Sequence, residues 1–470
     1  MNESHYDYDL LVIGTGSAGM AAAIRASELG ATVGIVEAAD VVGGTCVNIG
    51  CIPSKYLVEA AHHIHTARTS FTGIDACDPN LGWGELMRRK RELVESLRRE
   101  KYLDVLASYK SIELLYGHAE LLGGSRVRVE RHEVTALKVV IAAGTRPSMP
   151  PIPGLAATGA LDSTSVMELE RRPASMIVIG AGSVGLELGQ AFSRFGSRVT
   201  ILDAAERILP TEDADVSATL AAALRDEDIS LRTGVQVVAV ERTADGYSVR
   251  LSSAAEPLLA EQLLVATGRR PNTEGLGLNA AGVMTDPRGF IQVDEFMRTS
   301  NRDVFAAGDV TGGPGFVYVA ALGGGIAAQA ALAGEGAEPI AIDLRITPRV
   351  TFTDPQVAAV GLTQVEARAA GIEPKVTSMS LDYLPRAAVS FRQSGIVKLV
   401  ADQTTDRLLG AHIVSANAGD VIGEAVLAIR YGLTVQQVVS TLHPYLTWAE
   451  GLKLAAQTFT KDVAKLSCCA

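Results

Sequence analysis

Cysteine is scarce in this chain, at 5 of 470 residues. That excludes a disulfide scaffold, in which cross-links stand in for a hydrophobic core. Aromatic residues are also few, at 5% with two tryptophans, so the cores must be aliphatic. Basic residues are outnumbered, 42 Lys and Arg against 53 Asp and Glu, for a net charge of −11. With no long basic run, the electrostatic footprint of nucleic-acid binding is missing. No apolar run reaches the length of a bilayer span; the nearest, Ala320 to Ala333, is short and Gly-rich. The start, Met1-Asn2-Glu3-Ser4-His5-Tyr6-Asp7-Tyr8-Asp9, is polar and acidic, the opposite of a signal peptide. The eight histidines show no metal-ligand spacing, which argues against a zinc site. What remains is an acidic protein of two to four domains, with no membrane or nucleic-acid partner. Cytoplasm is the expected compartment, where a disulfide is catalytic rather than structural.

What is present is a repeat. Leu10-Leu11-Val12-Ile13-Gly14-Thr15-Gly16-Ser17-Ala18-Gly19 reads as a buried strand entering GxGxxG, and Met176-Ile177-Val178-Ile179-Gly180-Ala181-Gly182-Ser183-Val184-Gly185 repeats it. Glu37 lies 21 residues after Gly16, and Asp203 lies 21 after Gly182, each ending a second apolar strand. Ala-rich helices are expected between, over Met20 to Leu29 and Leu186 to Phe195. This is the βαβ dinucleotide fingerprint, found twice. Its glycines permit a tight turn and close approach of a pyrophosphate to the helix N-terminus, and its acid can bind a ribose hydroxyl. An acid such as Asp203 at the second strand end repels a ribose phosphate, with Arg207 nearby as the compensating cation.

Val139 to Gly144 and Leu263 to Gly268 look like matching exits from the two units, and Val304 to Asp309 is a strand ending in Gly-Asp. The Pro150-Pro151-Ile152-Pro153-Gly154 run is a stiff connector. From about Ile346 the pattern alternates, as in Arg349-Val350-Thr351-Phe352 and Gly395-Ile396-Val397-Lys398-Leu399-Val400, and predicts an antiparallel sheet with flanking helices.

The cysteines are paired by position. Cys468 and Cys469 are adjacent at the end of the chain, where vicinal geometry strains an S–S bond; two flexible thiols there suit capture of a soft metal ion. Cys46 and Cys51 sit in Gly43-Gly44-Thr45-Cys46-Val47-Asn48-Ile49-Gly50-Cys51-Ile52-Pro53-Ser54-Lys55, a Gly-rich loop entering a predicted helix. A helix N-terminus favours the thiolate, the reactive species. One pair suits two-electron chemistry and the other delivery. Cys77, among polar turn residues, is given no role.

These motifs together, GGTCVNIGCIPSK, the two fingerprints, ATGRRPN and FAAGDV, resemble the class I pyridine nucleotide–disulfide oxidoreductases over nearly the whole chain. The ending PYLTWAEGLKLAAQTF…LSCCA is similar to the mercuric reductase branch, and no GMTCxxC heavy-metal motif occurs, which implies a core-only form. The resemblance implies two Rossmann-like domains, for FAD and NAD(P)H, plus a C-terminal α+β dimerisation domain. The FAD domain is expected over 1–149 and 271–345, the NAD(P)H domain over 150–270, and the dimerisation domain over 346–470. It further implies a homodimer whose active sites are shared between subunits.

The resemblance assigns roles. Cys51 faces the flavin as thiolate and Cys46 is the outer thiol. Lys55 reaches the flavin and pairs with Glu187. FAD contacts are Gly14, Gly16, Gly19, Glu37, Gly44, Thr45, Lys55, Gly144 and Asp309; nicotinamide-cofactor contacts are Gly180, Gly182, Gly185, Asp203 and Gly268. NADPH is the expected donor, with NADH open because of Asp203. Family disulfide reductases carry a histidine base five residues before a glutamate; Tyr445 stands five before Glu450, and His443 seven before. The mercuric branch has tyrosine there. Tyr445 and Tyr102, with Cys46, Cys51, Cys468 and Cys469, form the expected Hg(II) ligands, the substrate arriving bound to thiols. The competing readings are a dihydrolipoyl dehydrogenase or related disulfide reductase, and a non-catalytic thiol metal buffer.

Overall fold

The computed structural model describes residues 6–333 and 340–465. The chain divides into two compact units, Met1–Tyr56, Gly84–Ser148 and Gly268–Asp343 in the first, and Leu57–Trp83, Met149–Thr267 and Leu344–Ala470 in the second.

In the first unit the parallel strands run in the order Ile112–Tyr116, Val33–Glu37, Tyr8–Ile13, His132–Ile141, Val304–Ala306. Leu10, Leu11, Val12 and Val140 are fully buried, as expected of strands covered on both faces. The strand order reverses beside Tyr8–Ile13, and such a switch point opens a ligand crevice at the strands' carboxyl ends. Gly14, Ala142 and Asp309 all follow strands that end there. Helix Ser17–Glu28 buries Ala18, Ala22, Ala23 and Ala26. Its approach to helix Val317–Leu332 requires glycine, since a Cβ on Gly324 would stand 2.0 Å from Ala18 O.

The second unit holds another parallel sheet, in the order Ser230–Arg232, Arg198–Leu202, Ser175–Ile179, Gln262–Val265. It reverses at Ser175–Ile179, the strand of the second fingerprint. The same unit contains a five-stranded antiparallel sheet, in the order Arg349–Thr351, Gln356–Gly361, Leu408–Ser415, Ile396–Asp402, Pro374–Ser380. Helices Ala418–Arg430 and Glu450–Gln457 contribute Ala418, Ile422, Ala425, Leu452 and Ala455 to its core.

The fold class is the expected one: two Rossmann-like α/β sheets and an α+β C-terminal part. The two fingerprint helices begin earlier than expected, at Ser17 and Ser183. Gly16 and Gly182 are extended (ψ −176° and 179°), so the last residues of each glycine loop already form the first helical turn. Among the described residues no helix is long and apolar enough to cross a membrane.

Candidate active site

The sequence repeat is a geometric one. Gly14 and Gly180 have φ of +108° and +112°, and a Cβ on either would stand 2.5 Å from the carbonyl of Ala142 or Ala266. Only glycine takes that conformation without strain. A Cβ on Gly19 would meet Gly14 O at 1.8 Å, and one on Gly185 would meet Gly180 O at 2.0 Å. The acids repeat as well. Glu37 accepts from Thr15 N (3.3 Å), the Thr15 hydroxyl and Ala39 N (2.8 Å), and Asp203 from Ala181 N (2.6 Å) and Ala205 N (2.8 Å). Each acid therefore fixes its own glycine loop, and a carboxylate retains further lone pairs for a ribose. Thr15, which sequence reasoning passed over, also accepts from Gly43 N (2.9 Å), tying the fingerprint to the cysteine loop.

The cradles are open where phosphate would approach. Helices Ser17–Glu28 and Ser183–Arg194 have no side-chain cap and no acid in their first turns, so their orphan N–H groups are available to an anion. A Cβ on Gly44 would stand 2.6 Å from Gly16 Cα, whereas Gly182 has nothing within 4 Å. At the sheet's carboxyl end Asp309 accepts from the Thr145 hydroxyl (3.1 Å), itself held by Arg269 Nε (2.7 Å). Arg269 belongs to the ATGRRPN motif and Thr145 follows the matching exit at Gly144, but neither was assigned a contact. Gly144 and Gly268 have positive φ, +65° and +135°, and open surroundings.

Cys46 lies inside a short helix, Gly44–Ile49, rather than in a loop, and Cys51 is the first residue of helix Cys51–Arg68. Asn48 ties the turn by donating to Val42 O (2.9 Å) and Gly44 O (3.0 Å). Cys46 is half-buried and Cys51 exposed, both as free thiols. The hydrogen bond from Cys46 to Cys51 pushes the Cys46 thiol well up from its usual range. Burial and the Cys51 charge add to the rise, while the Cys51 N–H and the Lys55 ammonium oppose it. Cys46 thus keeps the proton that the pair shares, and Cys51 accepts.

Tyr102 faces this pair. It lies in a π-helical turn, Arg99–Leu103, within a run of helix from Trp83 to Ser108; such widened turns often occur at functional sites. Burial raises the Tyr102 phenol above its ordinary value, and the Cys46 and Cys51 charges raise it further, against a hydrogen bond from the Ser17 hydroxyl. Ser17 was another unmarked residue.

Glu187, Arg207, His443, Tyr445 and Glu450 lie in the second unit. Glu187 is buried and accepts from Phe352 N at 2.8 Å; Lys55 belongs to the first unit. Tyr445 is 53% exposed, while Glu450 is buried and accepts from Leu446 N at 3.3 Å. Arg207 is turned onto carbonyls, donating to Pro210 O (2.9 Å) and Glu212 O (3.1 Å). His443 is enclosed, with Nε2 2.5 Å from Glu424 Oε1. Cys468 and Cys469 lie outside the described residues. Among the described residues no cluster of three or more His, Cys, Asp and Glu could hold a metal ion.

The pyridine nucleotide-disulphide oxidoreductase model matches residues 8–324, and the dimerisation domain of the same family matches 347–456. The chain belongs to this family. It is 45% identical to the mercuric reductase of Lysinibacillus sphaericus over 467 residues, covering 99% of this chain and 85% of that one. It is also 45% identical to the mercuric reductase of Streptomyces lividans, over 479 residues and the full length of both. Among solved structures it resembles the HOCl-induced flavoprotein disulfide reductase RclA of Escherichia coli. That likeness has a TM-score of 0.86 and 31% identity, over 97% of this chain and 100% of the other. The two glycine cradles, uncapped helix ends and strand-end acids fit the dinucleotides, FAD and NAD(P)H, that the family implies.

Proposed function

We propose that the enzyme reduces thiol-bound Hg(II) to Hg(0) with electrons from NAD(P)H. The observation that carries this reading is the grouping of Cys46, Cys51 and Tyr102, two thiols and a phenol, around the N-terminus of helix Cys51–Arg68. Tyr445 at the position of the family's histidine base supports it, as do the mercuric reductases at 45% identity.

The first fingerprint, with Glu37, Gly44, Thr45, Lys55, Gly144 and Asp309, would hold FAD. The second, with Asp203 and Gly268, would hold the nicotinamide cofactor. Segments 1–149 and 271–345 thus serve FAD, 150–270 serves the nicotinamide cofactor, and 346–470 forms the dimer in which Tyr445 serves the partner's site. When bound, FAD would carry electrons two at a time from the nicotinamide, first to open the Cys46–Cys51 disulfide and then to the metal held by the two thiolates.

The protein's own residues do the rest. Cys468 and Cys469 receive Hg(II) from external thiols and pass it on by ligand exchange. Cys51 displaces the first carrier ligand, and Cys46 displaces the second as its proton leaves with the departing thiol. A soft ion prefers such thiolates to oxygen ligands. Tyr102 and Tyr445 present phenol oxygens to the bound metal, and their reference pKa near 10 makes them poor proton shuttles at neutral pH. On accepting two electrons the metal becomes Hg(0), which thiolates hold weakly, and departs. In sum, Hg(SR)2, NAD(P)H and a proton give Hg(0), NAD(P)+ and two RSH.

The test is NADPH oxidation by the yellow holoenzyme. Rapid oxidation only with Hg(II) and excess thiol, together with mercury vapour release, is expected. Faster turnover with lipoamide or another disulfide than with Hg(II) would transfer the enzyme to the disulfide reductases.

A further inference from the structure

The segment between helices Val435–Ser440 and Glu450–Gln457 presents Tyr445, and the structure pins it on both sides of that residue. On one side is His443, whose side chain is only 3% exposed although its neighbour Leu442 is 93% exposed. Its Nδ1 is 3.0 Å from Thr441 O and its Nε2 is 2.5 Å from Glu424 Oε1, on helix Ala418–Arg430. On the other side Leu446, held at φ +62°, donates its N–H to Glu450, and Thr447 donates its hydroxyl to Pro444 O at 2.8 Å. A leucine with positive φ persists only where the surroundings enforce it.

The hydrogen-bond inventory makes His443 more than a space filler. A backbone carbonyl and a carboxylate only accept. Both ring nitrogens therefore face acceptors, Thr441 O on one side and Glu424 Oε1 on the other. The ring turns away from solvent into this clamp, two residues before the exposed phenol.

We propose that His443 is the positioning residue for Tyr445: clamped between Thr441 O and Glu424, it fixes the loop that carries the phenol. The proposal rests on the reading of Tyr445 as a metal-site residue, and the experiment separates the two. His443→Ala, Tyr445→Phe and the double variant are compared as FAD-loaded enzymes, with Hg(II) in excess cysteine and NADPH. Tyr445→Phe should lower kcat severalfold. His443→Ala should lower kcat by a similar factor with the NADPH KM unchanged, and the double variant should be no slower than the slower single one. Residues acting through one another are non-additive in this way, whereas a general packing defect multiplies.

Glu424→Gln should keep most of kcat, because its amide still offers the ring a hydrogen-bonding partner of the same size; Glu424→Ala should behave like His443→Ala. Amide hydrogen exchange across residues 442–447 should rise in His443→Ala and Glu424→Ala. A slow Tyr445→Phe beside a normal His443→Ala would overturn the positioning role, as would multiplicative losses in the double variant. A silent Tyr445→Phe would remove Tyr445 from the metal site; unchanged exchange in His443→Ala would then overturn the clamp too, and raised exchange would uphold it.

Discussion

Removing the charge of Glu212 should destabilise the enzyme in a way that fades as the solution is acidified. Glu212 lies buried just before helix Ala214–Asp226. Its Oε1 accepts from Arg349 Nε (3.0 Å) and its Oε2 from Arg349 Nη2 (3.4 Å), with His412 Nδ1 3.3 Å from Oε2. Burial by itself would raise the carboxyl, but the His412 and Arg349 hydrogen bonds and charges outweigh it and hold the group at about 2. The native pKa is thus below the unfolded one, so the contribution is complete above the unfolded value and is lost as pH falls through it toward 2. Against an unfolded value of about 4.3, the difference amounts to about 3 kcal/mol at pH 7, at 1.36 kcal/mol per unit. About 1 kcal/mol of this should be gone by pH 3.5. The assay is the urea midpoint of the holoenzyme, read by flavin fluorescence, for Glu212→Gln and its parent between pH 7 and pH 3.5. The variant should unfold at lower urea at pH 7, and the gap should hold to about pH 5 and narrow below it. A gap that stays constant would mean the site uses the shape of Glu212 and not its charge. A variant more stable than the parent at every pH would mean that desolvating this ion pair costs more than the pair returns.

The other predictions concern turnover. Cys468→Ala with Cys469→Ala should leave the flavin spectrum and the dithiol titration unchanged, while slowing reduction of Hg(II) held by bulky thiols more than by small ones; equal turnover with every ligand would end the delivery role. Asp203→Asn keeps an acceptor for the glycine loop but drops the charge, and relief of about 1–2 kcal/mol of repulsion should shift the kcat/KM ratio roughly tenfold toward NADPH. Gly182→Ala should fold normally and raise the NADPH KM, because nothing stands within 4 Å of the new methyl, whereas Gly185→Ala, 2.0 Å from Gly180 O, should fail to fold or lose nicotinamide binding altogether. Tyr102→Phe should retain FAD and lower Hg(II) turnover, measured as NADPH oxidation with excess cysteine.

How much of this was legible in the sequence depends on the range of the physics involved. The glycine loops were legible from the repeated motif: Gly19 and Gly185 answer to the Gly14 and Gly180 carbonyls within their own βαβ units, while the Ala142 and Ala266 carbonyls that demand Gly14 and Gly180 follow strands far along the chain. The C-terminal antiparallel sheet was legible from alternation alone. The short helix around Cys46 was not: six residues carry too little periodicity to separate a helix from a Gly-rich loop. Nor does any pattern announce the π-turn that aims Tyr102, since one extra residue per turn breaks the very periodicity by which a helix is recognised. Buried charge pairs are the extreme case. Arg194 binds Glu227 at 2.7 Å and Asp354 at 3.0 Å, from positions 33 and 160 residues away. Nothing local requires those acids, yet an unpartnered arginine there would cost several kcal/mol. His443 joins both kinds. As part of a His-Pro dipeptide it reads like a displaced catalytic base, and only the Glu424 carboxylate, 19 residues back, shows that its imidazole is committed to the loop. A functional residue type in a functional neighbourhood is thus weak guidance to its role until its hydrogen-bond partners are counted; for His443 both ring nitrogens are already taken.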